Sequence, residues 1–108
     1  MLFITIEEFY EKAKQCRRLS RQEEKDCALQ MQNGDEAARS RLIESYVPMV
    51  AGHIRHLKTS LQTLGMAVYC MQALEAAVNQ FNFLQDSEPF SHHLSWALRQ
   101  ASTAYLVR

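Results

Sequence analysis

Along this chain apolar residues recur at steps of three and four, the period of a helix with one buried face. Alternating β-branched runs are absent, and no Asn-Gly or Asp-Gly pair joins two such runs as a hairpin turn, so the pattern predicts no strands. Thr5 and Glu8 stand at the Thr-x-x-Glu spacing of a capping box and open a helix to about Arg17, with Phe9 and Ala13 on its stripe. Ser20 with Glu23 repeats the device and opens a second helix to about Gln32. In that helix Glu24, Lys25 and Asp26 face water, and Cys27, Leu29 and Met31 are available for burial. Gly34 suits the left-handed position that ends the second helix, and Asp35 can accept the orphan amides that start the third. The third helix carries Ala37, Ala38, Leu42 and Ile43. Pro48 lacks an amide hydrogen, so the helix kinks or restarts there with Pro48 in a first turn. Val47, Val50, Ile54 and Leu57 then share one face. A fourth helix is predicted from about Ser60 to Asn82, with Leu64, Val68, Met71, Leu74, Ala77, Val78 and Phe81 as its stripe. A loop holding Asp86, Ser87 and Pro89 follows. The last helix starts near Phe90 or Ser91 and runs to the C-terminus through Leu94, Trp96, Leu98 and Ala101. The fold class this predicts is all-α: one domain over 1–108, a compact bundle of about four to six helices, with 1–18 as its N-terminal helix.

Composition narrows the class. At 108 residues and 47% hydrophobic, the chain is long enough to bury roughly two-thirds of its unfolded surface and too apolar for disorder. Gln, His, Asn and Ser interrupt every apolar stretch, which argues against a membrane span. The opening Met-Leu-Phe-Ile-Thr-Ile is too short for a signal-peptide core. Three cysteines without a CxxC pair, and no export signal, point to a reducing cytoplasm. Net charge is zero, which hides an asymmetry. Residues 1–60 hold ten of the twelve Lys and Arg, whereas 61–108 hold only Arg99 and Arg108 against Glu75, Asp86 and Glu88. The second part is therefore either deeply buried or presents an uncharged, partly apolar surface to something else.

Few residues suggest catalysis. His53 and His56 lie at i, i+3, but no third ligand has convincing spacing, so they read as solvated helix histidines rather than a metal site. His92 and His93 are neighbours and point about 100° apart. Cys70 reads as a small core residue, since no base stands at a defined spacing to activate it. No acid–base pair, nucleophile constellation or phosphate loop is present, so neither an enzyme nor a cofactor is expected. Arg17, Arg18 and Arg21 read as a solvated turn that a phosphate or acidic partner could use. Met66 and Met71 fit core packing or an adaptable partner surface. Trp96, at helical spacing with Leu98 and Ala101, fits either core or an exposed stacking surface.

Two stretches carry more than generic patterning. Leu19 to Ile54 contains Leu-Ser-Arg-Gln-Glu-Glu, then Asn-Gly-Asp-Glu-Ala-Ala-Arg-Ser-Arg-Leu-Ile-Glu-Ser-Tyr-Val-Pro-Met-Val. Further on come Ala73-Leu74-Glu75-Ala76-Ala77-Val78-Asn79-Gln80-Phe81 and, after a loop, Phe90-Ser91-His92-His93-Leu94-Ser95-Trp96-Ala97-Leu98-Arg99-Gln100-Ala101. Together they resemble the second region of bacterial sigma-70 family factors, in family order and spacing, from about Leu19 to Arg108. The resemblance implies a helical domain that docks on the clamp coiled coil of the RNA polymerase core and opens promoter DNA. It implies that Phe90, His93 and Trp96 stack on unpaired bases of the −10 element, a contact giving roughly 1–3 kcal/mol per base. Arg99, Gln100 and Thr103 match family positions near phosphate and the upstream base pair of that element.

The departures fall on the helix that docks on polymerase. The family's acidic and amide positions land on Gly65, Val68, Tyr69 and Met71, with only Gln72 polar nearby. Ala97 stands where a second Trp would be. With no third or fourth sigma region after Arg108, recognition of a −35 element would fall to another polypeptide. The expectation is a sigma-factor-like transcription initiation protein that contacts single-stranded −10 DNA together with polymerase and a second protein partner. The alternative is a sigma-derived interaction module without DNA binding, in which Val68, Tyr69, Met71 and Gln72 form the partner face.

Overall fold

Side-chain caps set where the helices begin. In a computed structural model, which describes residues 2–85 and 88–107, the Thr5 hydroxyl accepts from the Glu8 amide at 3.0 Å and α1 runs Ile6–Gln15. At Ser20 the capping box closes both ways. The Glu23 amide donates to the Ser20 hydroxyl at 3.1 Å, and the Ser20 amide donates to the Glu23 carboxylate at 2.9 Å. This starts α2, Arg21–Gln32. Arg17 also reaches the Glu23 carboxylate, at 3.2 Å, and that bond first and the Ser20 amide second hold its pKa down at about 2. Gly34 has φ +88°, the left-handed conformation that favours glycine, and Asp35 then accepts from the Ala37 and Ala38 amides to cap α3, Glu36–Ser45. The helix breaks at Tyr46 and restarts as α4, Val47–Arg55, with Pro48 in its first turn.

The fourth predicted helix is two pieces. A short 3-10 turn spans Thr59–Leu61, and α5, Leu64–Gln80, starts only after Thr63, whose hydroxyl accepts from the Met66 amide at 3.2 Å. The connection is held by Gln62. Its side-chain nitrogen donates to the Leu57 carbonyl at 3.1 Å, and its oxygen accepts from the Tyr10 hydroxyl at 2.9 Å. Such local bonds offer the backbone an alternative to the helical ladder. The Arg55 guanidinium sits 4.1 Å above the Tyr10 ring and ties α4 to α1 at the same place. The last helix, α6, spans Phe90–Val107. The predicted loop residues Asp86 and Ser87 lie outside the described residues. No strand occurs among the described residues, and no helix there is long and apolar enough to cross a membrane.

An antiparallel hairpin of α5 and α6 forms one wall of the bundle. Phe81 meets Phe90 at one end, with ring centroids 5.1 Å apart, and Tyr69 meets Tyr105 at the other, also 5.1 Å apart. Against this wall pack α3, α4 and α1, while α2 lies on α3. Phe9, Leu42, Val50, Ile54, Leu74, Leu94 and Leu98 are fully enclosed. Full burial of such a side chain contributes about 1.5–3 kcal/mol.

The phase of several stripes differs from the periodic reading. On α5 the inward residues are Met66, Ala67, Cys70, Met71, Leu74, Ala77 and Val78, while Leu64 and Val68 face out. This helix is apolar around most of its circumference and touches α4 as well as α6, so spacing alone could not choose the buried side. Leu29 and Trp96 are exposed too, and on α6 the inner line is Phe90, Leu94, Leu98 and Ser102. The buried Ser102 hydroxyl donates to the Leu98 carbonyl at 2.9 Å and lies 2.7 Å from His53 Nε2. His53 is thus tied to α6 rather than freely solvated. With Ser102 donating to Leu98, Nε2 carries the hydrogen and Ser102 accepts it. Burial pushes the His53 pKa below its usual 6.5, helped by the positive charges of His56 and Arg99.

This has a consequence for stability. Well above pH 6.5 both folded and unfolded chains hold His53 neutral. As pH falls below 6.5 the unfolded chain takes up the proton first, so stability is lost on acidification. Urea midpoints measured from pH 7.5 down to 5.5 should decline, and His53→Gln should flatten that decline. An equal slope in the variant would rule His53 out as its source.

Candidate nucleic-acid interface

The solvent face of α6 follows directly from its inner line. With Leu94, Leu98 and Ser102 turned inward, His93, Trp96, Gln100 and Thr103 fall on one outer stripe at steps of three and four, with Arg99 beside it. Trp96 is 57% exposed, a large value for a large apolar ring. The choice between core and surface left open by its spacing is decided in favour of surface. His93 is half-buried, its ring 5.5 Å from Phe81 and 6.0 Å from Phe90. Arg99, Gln100 and Thr103 are exposed.

Phe90 does not join them. It is 3% exposed and packs edge-on against Tyr46 at 4.8 Å, with Phe81 at 5.1 Å and Phe83 at 4.9 Å. As the first residue of α6 it points into the α3–α4 junction, and the turn from α5 folds Phe81 and Phe83 over it. Its expected stacking role is therefore corrected: Phe90 anchors the platform on which His93 rests.

Between the two helices runs an open groove of about 400 Å³. Ala73, Ala76 and Ala77 line it from α5, and Ala97, Ala101 and Ala104 from α6, with Trp96 and Gln100 on the rim. Ala97, read from the sequence as a missing ring, forms part of this floor. Small residues leave the Trp96 ring standing above its surroundings. Arg99 and Glu75 are the charged residues of α5 and α6, so an extended ligand here would meet mainly apolar and amide surface.

On the other part of α5 the partner-face residues divide. Val68 is 41% exposed, Gln72 is exposed and Tyr69 is half-buried, but Met71 is only 8% exposed. Met71 is corrected to a core residue, because it shares the inward side with Leu74 and Val78. Gly65 has a packing reason to be glycine. A Cβ there would run into the Tyr105 hydroxyl, which lies directly over the Gly65 backbone.

The structure also joins residues that sequence reasoning kept apart. Arg18, just before α2, and Arg21 and Lys25 at its start share a cleft with Tyr46, Phe81 and Phe83. Arg18 lies 5.0 Å from the Tyr46 ring centre, and the Tyr46 hydroxyl donates to the Glu24 carboxylate. The run of arginines at 17–21 was the only signal for this cleft in the sequence. Elsewhere, burial raises the pKa of Cys16 and of Cys70, so both thiols stay protonated and weakly nucleophilic near neutrality. No cluster of three or more metal-ligating side chains is found among the described residues. No protein-family model matches the chain, and no solved structure matches it.

Proposed function

We propose that this chain is a sigma-factor-like transcription initiation protein that contacts the unpaired −10 strand of a promoter together with RNA polymerase. The observation that carries the reading is the exposed Trp96 indole, aligned on one helical face with His93, Gln100 and Thr103 and flanked by Arg99. An aromatic ring held in water by a rigid helix is a stacking platform for a base. Its attraction to a base does not depend on net charge, which suits a chain whose net charge is zero. Gln100 supplies an amide that pairs with adenine, and Arg99 neutralises a phosphate. With one cation on this helix, counterion release supplies little affinity. Polymerase, and a second protein partner, would therefore supply the remaining contacts.

A second reading rests on Leu64 and Val68, both more than a third exposed at the start of α5. In it the scaffold is an interaction module without DNA binding, and this apolar corner with Tyr69 and Gln72 meets a protein partner.

Fluorescence anisotropy with a labelled single-stranded −10-type oligonucleotide separates the two. Wild-type protein should bind it in the presence of core polymerase, and Trp96→Ala should weaken that binding by about 5- to 150-fold, the equivalent of one lost stack. Because Trp96 is exposed, the variant should keep the wild-type melting temperature. If polymerase adds nothing and the variant matches wild type, the strand-binding reading fails. A pull-down abolished by Val68→Glu in a folded protein would then support the second reading.

A further inference from the structure

One cavity away from the α6 stripe combines cations with aromatic faces. It lies between the first turns of α2 and the N-terminal end of α6 and encloses about 240 Å³. Arg18, Arg21 and Lys25 line it from the α2 side, with Arg21 and Lys25 one helical turn apart. Phe81 and Phe83 line the opposite side and are each half-buried, so part of each ring faces the cavity. Arg17, close by in sequence, is engaged with Glu23 and does not line the cavity. The wall also holds two carboxylates, Glu24 and Glu88, the first of which accepts from the Tyr46 hydroxyl.

We propose that this cleft binds a nucleoside monophosphate, with its phosphate on Arg18, Arg21 and Lys25 and its ring against Phe81 and Phe83. Each feature limits the ligand. Three cations facing two carboxylates leave an excess suited to a single phosphate and poorly suited to the larger charge of a triphosphate. The volume lies just below the usual ~300–1,000 Å³ of small-molecule sites, enough for one ring and one phosphate but not for an extended ligand. Ser91, in the first turn of α6, is also part of the wall and adds a hydroxyl to it. The half-open aromatic side admits a flat ring, which stacks without regard to base identity. The assignment uses none of the outer α6 residues and so does not rest on the strand-binding reading. The same chemistry could reach the cleft as a free nucleotide or as the terminal nucleotide of a strand, and the free nucleotide is the ligand proposed.

Isothermal titration of the whole chain with adenosine monophosphate tests the site, with adenosine and inorganic phosphate as separate arms. Wild-type protein should bind one nucleotide per chain, and adenosine and phosphate should each bind at least about tenfold more weakly. Arg21→Ala with Lys25→Ala should weaken the nucleotide about tenfold or more. Both side chains are exposed, so the melting temperature should hold. Trp96→Ala should leave nucleotide affinity unchanged, whatever it does to strand binding. Phe83→Leu keeps apolar bulk and should weaken the nucleotide but not phosphate. The proposal is overturned by no nucleotide binding at millimolar concentration, or by phosphate binding as tightly as the nucleotide. It is equally overturned if Trp96→Ala abolishes nucleotide binding while the Arg21 and Lys25 changes do nothing. An oligonucleotide with a 5′-phosphate that binds through Arg21 and Lys25, with the free nucleotide failing, would assign the cleft to a strand end instead.

Discussion

Phe90→Ala is expected to lower the unfolding free energy by about 3–5 kcal/mol, whereas Trp96→Ala should change it by no more than about 0.5 kcal/mol. The two positions lie on one helix less than two turns apart, and the contrast comes from their surroundings. Phe90 is 3% exposed, with Tyr46, Phe81 and Phe83 all within 5.1 Å between ring centres. Its truncation removes buried area, empties a space among three rings that cannot all collapse inward, and loses edge-to-face contacts worth about 0.5–1.5 kcal/mol per pair. It also loosens the seat of His93, whose ring lies 6.0 Å away. Trp96 is 57% exposed and borders the open, alanine-lined α5–α6 groove, so its truncation leaves no enclosed cavity. Urea unfolding followed by far-ultraviolet circular dichroism is the suitable measurement. The only Trp is already exposed, so its fluorescence would report unfolding poorly. Comparable losses in the two variants would show that Trp96 is a packing residue and would remove the basis for its stacking role.

Local signals in this sequence are legible where they act within one turn. The Ser20–Glu23 box, the Asp35 cap, the left-handed Gly34 and the restart at Pro48 involve residues at most four apart, and each was legible from spacing. The all-α class followed from the same periods. What spacing could not supply was the rotational phase of α5 and α6. Leu64, Val68, Met66, Ala67, Cys70 and Met71 give α5 an apolar surface on several sides, so the buried side was set by α4 and α6. On α6 the buried line includes Ser102, a polar residue that periodicity discounts, because His53, 49 residues earlier, arrives to bond it. The same inner line, set by Leu94 and Leu98 and continued by Ser102, leaves Trp96 on the opposite side of the helix. The outer stripe of α6 proposed to meet a strand was therefore named from the sequence as a set of residues, and of these Phe90 lies inside the fold. The cleft of Arg18, Arg21 and Lys25 was not legible as a site, since its two walls are some sixty residues apart along the chain.

Replacing both outer rings, His93→Ala with Trp96→Ala, should weaken strand binding by about 2–6 kcal/mol if each ring stacks on its own base. The two positions are three residues apart on α6, with Cβ atoms about 5–6 Å apart on one face. That spacing accommodates two successive bases along a strand or one base bridging both rings. The double-variant cycle distinguishes these arrangements. Separate stacks predict losses that add to within about 0.5 kcal/mol, whereas one shared base predicts a double loss little greater than the Trp96 loss alone. His93 also packs 5.5 Å from Phe81, so part of its effect could be structural. His93→Phe controls for that, since it keeps both the packing and an aromatic face and should restore binding lost in His93→Ala. Anisotropy with polymerase present is the readout, with melting temperatures taken on every variant. Wild-type affinity in a folded double variant would place any strand contact elsewhere on the domain. Binding lost with His93→Ala and not restored by Phe would assign the contact to the imidazole's hydrogen-bonding nitrogens rather than to stacking.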